Sequence, residues 1–332
     1  MGLGAPALAL SGTISNHVES RSMKLAIVFP GQGSQSVGMM EGYAGHPSVR
    51  ETFVEASEIL GQDLWALVQD GPADVLNGTV NTQPVMLTAD IAVFRAWKAA
   101  GGADASVMAG HSLGEYAALV AAGAITFADA LPLVRFRAQS MQDAVPRGVG
   151  AMAAVMGLDD EGVIAACAEV AQGQSVEAVN FNAPGQVVIA GHKEAVERAI
   201  AAAKSRGAKR GVLLPVSAPF HSKLLQPAAE KLATYLAGVT VRAADPSVVH
   251  NVDVTPAAAP DAIRAALAKQ AASPVRWAQT IQAFVAQGVT HIVECGPGTV
   301  LTGLARRIAP DLQVLPLNDA DAIATAIADT AY

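Results

Sequence analysis

Cysteine is scarce in this 332-residue sequence, and positive charge is not in excess. Its two cysteines, Cys167 and Cys295, lie far apart and outside any CxxC spacing, which argues against a disulfide framework and a cysteine-based zinc site. We expect two buried free thiols, in agreement with a cytoplasmic location. The 22 Lys and Arg residues are fewer than the 29 Asp and Glu residues, giving a formal net charge of −7. Nucleic acid is therefore not expected as a partner.

Long apolar runs are also missing. The longest candidate, residues 118–134, is interrupted by Asp129 and Pro132, so it falls short of the ~18 residues that suggest a membrane helix. Residues 1–22 have no basic segment ahead of a short apolar run, which argues against a secretory signal peptide. We expect them to be a disordered or vector-derived extension, with the fold starting near Met23. A content of 52% apolar and 15% charged residues is typical of a soluble globular enzyme.

Strand-like and helix-like segments alternate along most of the sequence. Such alternation predicts a mostly parallel sheet with helices on both faces. Residues 148–216 differ, because their segments follow the order βαββαβ, ending in a strand predicted over 211–216, which is typical of a ferredoxin-like unit. We therefore predict an α/β fold: a large α/β-hydrolase-like domain, residues 23–147 and 217–332, with a smaller ferredoxin-like insert, residues 148–216. Ligands are expected in the cleft between the two.

The most informative motif is the G-x-S-x-G pentapeptide Gly110–Gly114. It follows an apolar strand-like run, residues 106–109, and opens a helix-like stretch, so it has the strand, turn and helix context of a nucleophile elbow. Ser112 is therefore a candidate covalent nucleophile. The alternative is a capping box, because Glu115 lies three residues after Ser112. The two functions are compatible with each other.

A serine nucleophile needs a base, and histidine is the usual one near neutral pH. Of the seven histidines, we select His221, because it lies in the segment 217–222 where the chain returns from the insert to the large domain. The alternative is a surface position at the start of a helix. A second glycine-rich segment, residues 29–35, follows the first predicted strand. Without a Walker pattern, it fits an oxyanion-hole loop better than a phosphate loop or an ordinary turn.

Six motifs, in this order, resemble those of the malonyl-CoA:acyl-carrier-protein transacylases of bacterial type II fatty-acid synthesis and the related acyltransferase domains of polyketide synthases. The resemblance extends from Met23 to the end of the chain. The motifs are FPGQGSQ at 29–35, GHSLGE at 110–115, Arg137, NFNAPGQVVIAG at 180–191, SAPFHS at 217–222 and ECGPG at 294–298.

The resemblance implies a ping-pong reaction through a malonyl-serine ester, with Ser112 as nucleophile and His221 as base. It assigns the oxyanion hole to the backbone amides of Gln32 and Leu113, and a main-chain carbonyl that orients the histidine to Gln270. The remaining implied positions are Arg137 for the substrate carboxylate, with His111, Phe220 and, less directly, Gln186 at the pocket.

The implied partners are malonyl-CoA and holo acyl carrier protein, with the enzyme a monomer in the cytoplasm. No metal or tightly bound cofactor is implied, since CoA is part of substrate and product. A basic cluster is a candidate docking surface for the acidic carrier protein, although a solvated helix face explains it equally well. The cluster comprises Lys204, Arg206, Lys209, Arg210, Arg306 and Arg307. Two alternative functions remain: a serine esterase or thioesterase, and a non-catalytic module that binds carrier protein.

Overall fold

The computed structural model describes Met1 and residues 23–331. The prediction for residues 1–22 therefore falls almost entirely outside the described part of the chain. The strands are β1 (Leu25–Phe29), β2 (Val107–Gly110), β3 (Gly150–Met156), β4 (Val176–Ala183), β5 (Gln186–His192), β6 (Arg210–Leu213), β7 (Val248–Val249), β8 (Pro256–Ala257), β9 (His291–Glu294) and β10 (Gln313–Pro316).

The α-helices alternate with these strands. They are α1 (Pro47–Leu60), α2 (Leu64–Asp70), α3 (Ala73–Leu76), α4 (Thr79–Ala99), α5 (Gly114–Ala121), α6 (Phe127–Asp143), α7 (Asp160–Val170), α8 (Lys193–Ser205), α9 (Gln226–Ala237), α10 (Pro260–Gln270), α11 (Trp277–Ala286), α12 (Val300–Ile308) and α13 (Ala320–Thr330).

The large sheet has the strand order β10-β9-β1-β2-β7-β8. Every pairing in it is parallel except that of β7 with the edge strand β8. The prediction of a mostly parallel sheet is confirmed. Because the paired strands are parallel, the segments that follow β1, β2, β7 and β9 all emerge at one edge of the sheet. This edge carries the candidate site.

Both faces of the large sheet are buried. Along β1, Leu25, Ile27 and Phe29 face one apolar cluster, whereas Ala26 and Val28 face a second. This alternation follows from the two-residue period of a strand. A strand buried on both faces has no polar side, which explains why β1 appears in the sequence as an unbroken apolar run.

The small sheet is antiparallel, with the order β4-β5-β3-β6, and its elements follow the predicted sequence βαββαβ. One face packs against α7 and α8, so that Ala153 and Val155 of β3 belong to a separate apolar cluster. From the other face, Met152 joins the core of the large unit. The last strand ends at Leu213 rather than at the predicted residue 216. The chain from there to His221 has no regular strand or helix and enters the candidate site.

Two expectations from composition can be compared with the described residues. Cys167 and Cys295 are both free and buried, as predicted. Within the described part of the chain, no helix has the length and apolar character needed to cross a membrane.

Candidate active site

The segment from β2 to α5 is a sharp turn that only small flanking residues permit. A Cβ on Gly110 would lie 1.9 Å from the backbone carbonyl of Gly114, and one on Gly114 would lie 2.1 Å from the carbonyl oxygen of Phe29. Ser112, between them, adopts φ = 54°, which is uncommon for a residue with a side chain. The two glycines therefore allow a turn that holds Ser112 in a strained, left-handed conformation.

An asparagine that the motif analysis did not select holds this turn in place. Asn251 Oδ1 accepts a hydrogen bond from the Ser112 amide at 2.8 Å, and Asn251 Nδ2 donates to the Gly110 carbonyl at 2.8 Å. A capping box would instead require the Glu115 side chain to accept from the Ser112 amide. In the structure Glu115 turns away into the core, so the capping-box alternative is wrong.

The structure places the predicted base against the predicted nucleophile. His221 Nε2 lies 2.7 Å from Ser112 Oγ, and His221 Nδ1 lies 2.9 Å from the main-chain oxygen of Gln270. A carbonyl oxygen can only accept, so Nδ1 carries the proton and Nε2 is left to accept from the serine hydroxyl. His221 is only 3% exposed and has φ = 65°, which makes the surface alternative wrong.

Burial, together with the positive charge of Arg137 as a smaller contribution, lowers the pKa of His221 to about 3. The imidazole is therefore neutral at physiological pH. A neutral imidazole with a free Nε2 lone pair can take a proton from Ser112 as the hydroxyl attacks an acyl group.

Arg137 lies beside this pair and is 1% exposed. Its Nη1 donates to Gln83 Oε1 at 2.7 Å, and its Nη2 donates to Gln270 Oε1 at 2.8 Å and to Ser112 Oγ at 3.2 Å. The guanidinium also lies over the ring of Tyr116, 5.3 Å from its centroid. These contacts are to neutral groups, so the cation faces the nucleophile with no carboxylate in hydrogen-bond contact within the described residues.

The two amides assigned to the oxyanion hole lie on adjacent segments, after β1 and β2. A Cβ on Gly31 would lie 2.3 Å from the His111 carbonyl oxygen and 3.7 Å from the Leu113 nitrogen, so the two segments are in close contact. Within residues 23–331, neither the Gln32 amide nor the Leu113 amide has a hydrogen-bond acceptor. Both N–H groups are free to bind a developing oxyanion.

A small cavity of about 110 Å³ opens at Ser112 between the two sheets. Of the predicted pocket residues, His111 and Phe220 line it, and His111 Nε2 is 2.8 Å from Asn182 Oδ1. Gln186 does not, because its side chain accepts a hydrogen bond from Arg307. The full lining is Gln32, Gln83, His111, Ser112, Leu113, Arg137, Met141, Met152, Asn180, Leu214, Val216, Phe220 and His221.

Sequence motifs missed a second layer of polar residues beneath the site. Glu115 accepts from His250 Nδ1 at 2.6 Å, from the Asn251 amide at 3.1 Å and from Gln270 Nε2 at 2.8 Å. Burial alone lowers the pKa of His250, but its hydrogen bond to Glu115 and the charge of that carboxylate outweigh burial, and the net shift is upward. His250 and Asn251 follow β7, whose two residues are too few to give a strand pattern.

Comparison with known proteins identifies the family of the chain. The model of the acyl transferase domain family matches residues 26–328. The chain belongs to this family. The match spans nearly all of the described residues and includes every site residue discussed above. The resemblance drawn from the six motifs is thereby confirmed.

Individual relatives of this acyl transferase are highly similar over almost their full length. The malonyl CoA-acyl carrier protein transacylase of Escherichia coli K12 is 56% identical, with 92% of this chain and 99% of the relative covered. The protein of the same name from Bacillus subtilis is 44% identical, covering 92% and 96%.

Solved structures extend the comparison. The acyl-carrier-protein S-malonyltransferase of Burkholderia pseudomallei 1710b is 60% identical, with a TM-score of 0.91 and coverage of 92% of this chain and 100% of that one. A malonyl-transacylase in complex with its type II PKS acyl-carrier protein is 52% identical, with a TM-score of 0.91 and coverage of 92% and 99%.

Proposed function

We propose that this protein transfers the malonyl group of malonyl-CoA to the phosphopantetheine thiol of holo acyl carrier protein, through a malonyl ester on Ser112. The observation that carries the proposal is the position of Arg137. Its buried guanidinium lies 3.2 Å from a serine hydroxyl that is itself paired with a neutral histidine. A nucleophile next to a cation without a carboxylate partner suits an acyl substrate that carries its own carboxylate.

In the first half-reaction, Ser112 Oγ attacks the thioester carbonyl carbon while its proton passes to His221 Nε2. The carbonyl oxygen becomes an oxyanion that accepts from the amides of Gln32 and Leu113. When the C–S bond breaks, His221 returns the proton to the CoA sulfur. The products are malonyl-Ser112 and free CoA, and His221 is neutral again.

In the second half-reaction, the phosphopantetheine thiol of the carrier protein takes the place of CoA. His221 accepts the thiol proton as the sulfur attacks the malonyl-serine carbonyl, and the same two amides hold the oxyanion. Collapse breaks the bond to Ser112 Oγ and returns the proton to the serine. Malonyl-carrier protein leaves as an extender unit for fatty-acid biosynthesis, and the reaction needs no group beyond the chain and its substrates.

Arg137 gives the site its preference for malonyl groups. Two parallel N–H donors of the guanidinium can hold the free malonyl carboxylate, and burial strengthens that interaction. Charge-assisted hydrogen bonds of this kind contribute about 1.5–3 kcal/mol each. An acetyl group offers no partner for the cation, so its binding leaves the guanidinium as it is in the free protein.

The architecture also supports the finer sequence predictions. We infer an α/β-hydrolase-like large domain from residues 23–147 and 217–332, and a ferredoxin-like small domain from residues 148–216. The strand order β4-β5-β3-β6 around two helices supports the second of these names. We also infer that the protein works as a monomer in the cytoplasm.

The surface offers one region for an acidic carrier protein. Lys204, Lys209 and Arg210, all exposed, form no ion pair within the described residues. The other three members of the basic cluster are engaged. Arg206 pairs with Glu169 at 2.7 Å, Arg306 donates to the Val314 carbonyl at 3.0 Å, and Arg307 donates to Gln186 and to the Pro184 carbonyl. We propose the first three as the contact for the carrier protein.

A thioesterase is disfavoured by the partner of the histidine. Ser-His hydrolases orient the imidazole with a carboxylate, whereas His221 Nδ1 donates to the main-chain oxygen of Gln270. A non-catalytic module is disfavoured because Ser112 Oγ lies 2.7 Å from His221 Nε2 and because the Gln32 and Leu113 amides have no acceptor within the described residues.

The test is intact-protein mass spectrometry after brief incubation with malonyl-CoA in the absence of carrier protein. We expect one malonyl adduct that is absent from Ser112→Ala, weak with acetyl-CoA and discharged by added holo carrier protein. Release of CoA without an adduct would indicate a thioesterase instead. Neither an adduct nor CoA release would favour the binding module.

A further inference from the structure

Glu115 is a buried carboxylate to which the proposed mechanism gives no task. It is 0% exposed, and it is not one of the residues that line the cavity. One carboxylate oxygen faces His250 Nδ1, and the other accepts from the Asn251 amide and from Gln270 Nε2. With donors on both oxygens, the carboxylate is held in one position.

The side-chain amide of Gln270 is therefore fixed in one of its two orientations. Its Nε2 donates to Glu115 Oε2 at 2.8 Å and to the Ser112 carbonyl at 2.8 Å, and its Oε1 accepts from Arg137 Nη2 at 2.8 Å. A carboxylate and a carbonyl only accept, whereas a guanidinium only donates. Rotating the amide by 180° would break all three hydrogen bonds and set donor against donor at Arg137.

Gln270 also contacts the base through its main chain. The residue ends α10, where its carbonyl oxygen accepts from His221 Nδ1 while its side chain reaches Arg137 and Ser112. One residue thus contacts nucleophile, base and carboxylate-binding cation. Glu115 holds the Gln270 side chain in place by accepting a hydrogen bond from its Nε2.

We propose that Glu115 is a positioning residue for malonyl selection: it fixes the Gln270 amide with its oxygen toward Arg137, so that the guanidinium is held ready for the substrate carboxylate. This inference rests on the proposed function, because it assigns to Glu115 an effect on malonyl recognition. A purely structural carboxylate would instead affect malonyl and acetyl transfer equally.

Two nearly isosteric substitutions separate the positioning role from side-chain size. Glu115→Gln keeps an amide oxygen for the two donors, the Asn251 amide and Gln270 Nε2. Glu115→Met keeps the length but removes the acceptor. We expect Glu115→Met to lower the ratio of malonyl to acetyl kcat/KM about tenfold, mainly by raising KM for malonyl-CoA, and Glu115→Gln to stay within about threefold of the wild type.

Glu294→Met is the matched control. Glu294 is also 0% exposed, but its oxygens accept from the Leu301 and Thr302 amides at the start of α12, and it does not line the cavity. We expect it to lower the melting temperature without changing the malonyl to acetyl ratio. A similar change of ratio in this control would overturn the proposal, and so would equal ratios for Glu115→Gln and Glu115→Met.

If Glu115→Met does not fold, Gln270→Leu tests the same step, because it keeps the main-chain carbonyl for His221 and removes the amide oxygen from Arg137. An unchanged ratio in Gln270→Leu would overturn the proposal, and a lowered ratio would support it. The wild-type measurement separates the two levels of inference. If the wild type forms no malonyl adduct, the proposed function itself is contradicted. If the wild type forms the adduct, the variants then test only the role of Glu115.

Discussion

The two sides of the cleft differ in chemistry. The side formed by the large sheet contributes Ser112, Arg137 and His221, which are held by hydrogen bonds to their neighbours. The side formed by the small sheet contributes mainly apolar groups, such as Met152 and Leu214. The reactive groups thus come from the sheet whose parallel strands end at one edge, while the small sheet gives the cavity its shape.

This difference has a physical origin. Parallel strands bring segments that are distant in sequence to one edge of the sheet, where Glu115, Asn251 and Gln270 form hydrogen bonds with one another and with Ser112. The small sheet has its own apolar cluster against α7 and α8, so it can present a surface without contributing to that network. Substitutions on the large side should therefore change the chemical step or the recognition of the malonyl carboxylate, and those on the small side should change only the fit of the substrate in the cavity.

The largest effect is expected for the base. His221→Ala removes the proton acceptor of Ser112, and general-base catalysis typically contributes about 10²–10⁴-fold. We expect a loss in this range in the rate of malonyl-serine formation, measured by rapid-quench mass spectrometry, with malonyl-CoA and acetyl-CoA affected alike. A loss below tenfold would mean that His221 is not the base.

A large but selective effect is expected for Arg137→Ala. Loss of two charge-assisted hydrogen bonds to the malonyl carboxylate should lower kcat/KM for malonyl-CoA by about 10²-fold or more. Acetyl transfer should fall much less, because acetyl has no carboxylate to lose. Equal losses on the two substrates, measured side by side, would contradict the assignment of Arg137.

The pH profile should show the depressed pKa of His221. Since burial and the charge of Arg137 keep this pKa near about 3, acylation of Ser112 by acetyl-CoA should not fall between about pH 7 and pH 5, as it would for a base of ordinary pKa. In Arg137→Ala the loss of the positive charge should raise the pKa of His221, so the acid limb of the pH profile should move to higher pH. The pKa should stay below its ordinary value, because the imidazole is still buried. An acid limb near pH 6.5 in the wild type would contradict this view.

The same pKa affects the stability of the fold. Below about pH 6.5 His221 becomes protonated in the unfolded chain but stays neutral in the folded protein, because its pKa there is about 3. Protonation of the unfolded chain therefore reduces the free energy of unfolding as the pH falls toward 3. This reduction in the free energy of unfolding occurs only below the pKa that His221 has in the unfolded chain, and it is absent above that pKa. Urea unfolding between about pH 7 and pH 5 should show a smaller decline in His221→Gln than in the wild type.

Local features of the site could be predicted from the sequence, whereas contacts between residues that are distant in the chain could not. Ser112 was identifiable because the elbow places its glycines at fixed local spacings. The order βαββαβ over residues 148–216 was predictable because each element there is a local pattern along the chain. Asn251 was not, since it lies 139 residues from Ser112 and follows a strand of only two residues. The capping-box alternative for Glu115 depended on its short-range spacing from Ser112, whereas the actual partners of Glu115 lie more than 130 residues away.

The smallest effect is expected on the side of the small sheet. Leu214 lines the cavity with an apolar side chain, so Leu214→Ala removes only part of the apolar lining. We expect malonyl transfer to stay within about threefold of the wild type, with an unchanged malonyl to acetyl ratio. The measurement is the same pair of kcat/KM values used for Arg137→Ala. A selective loss of malonyl transfer as large as that of Arg137→Ala would mean that the small sheet takes part in carboxylate recognition, and the division between the two sides would not hold.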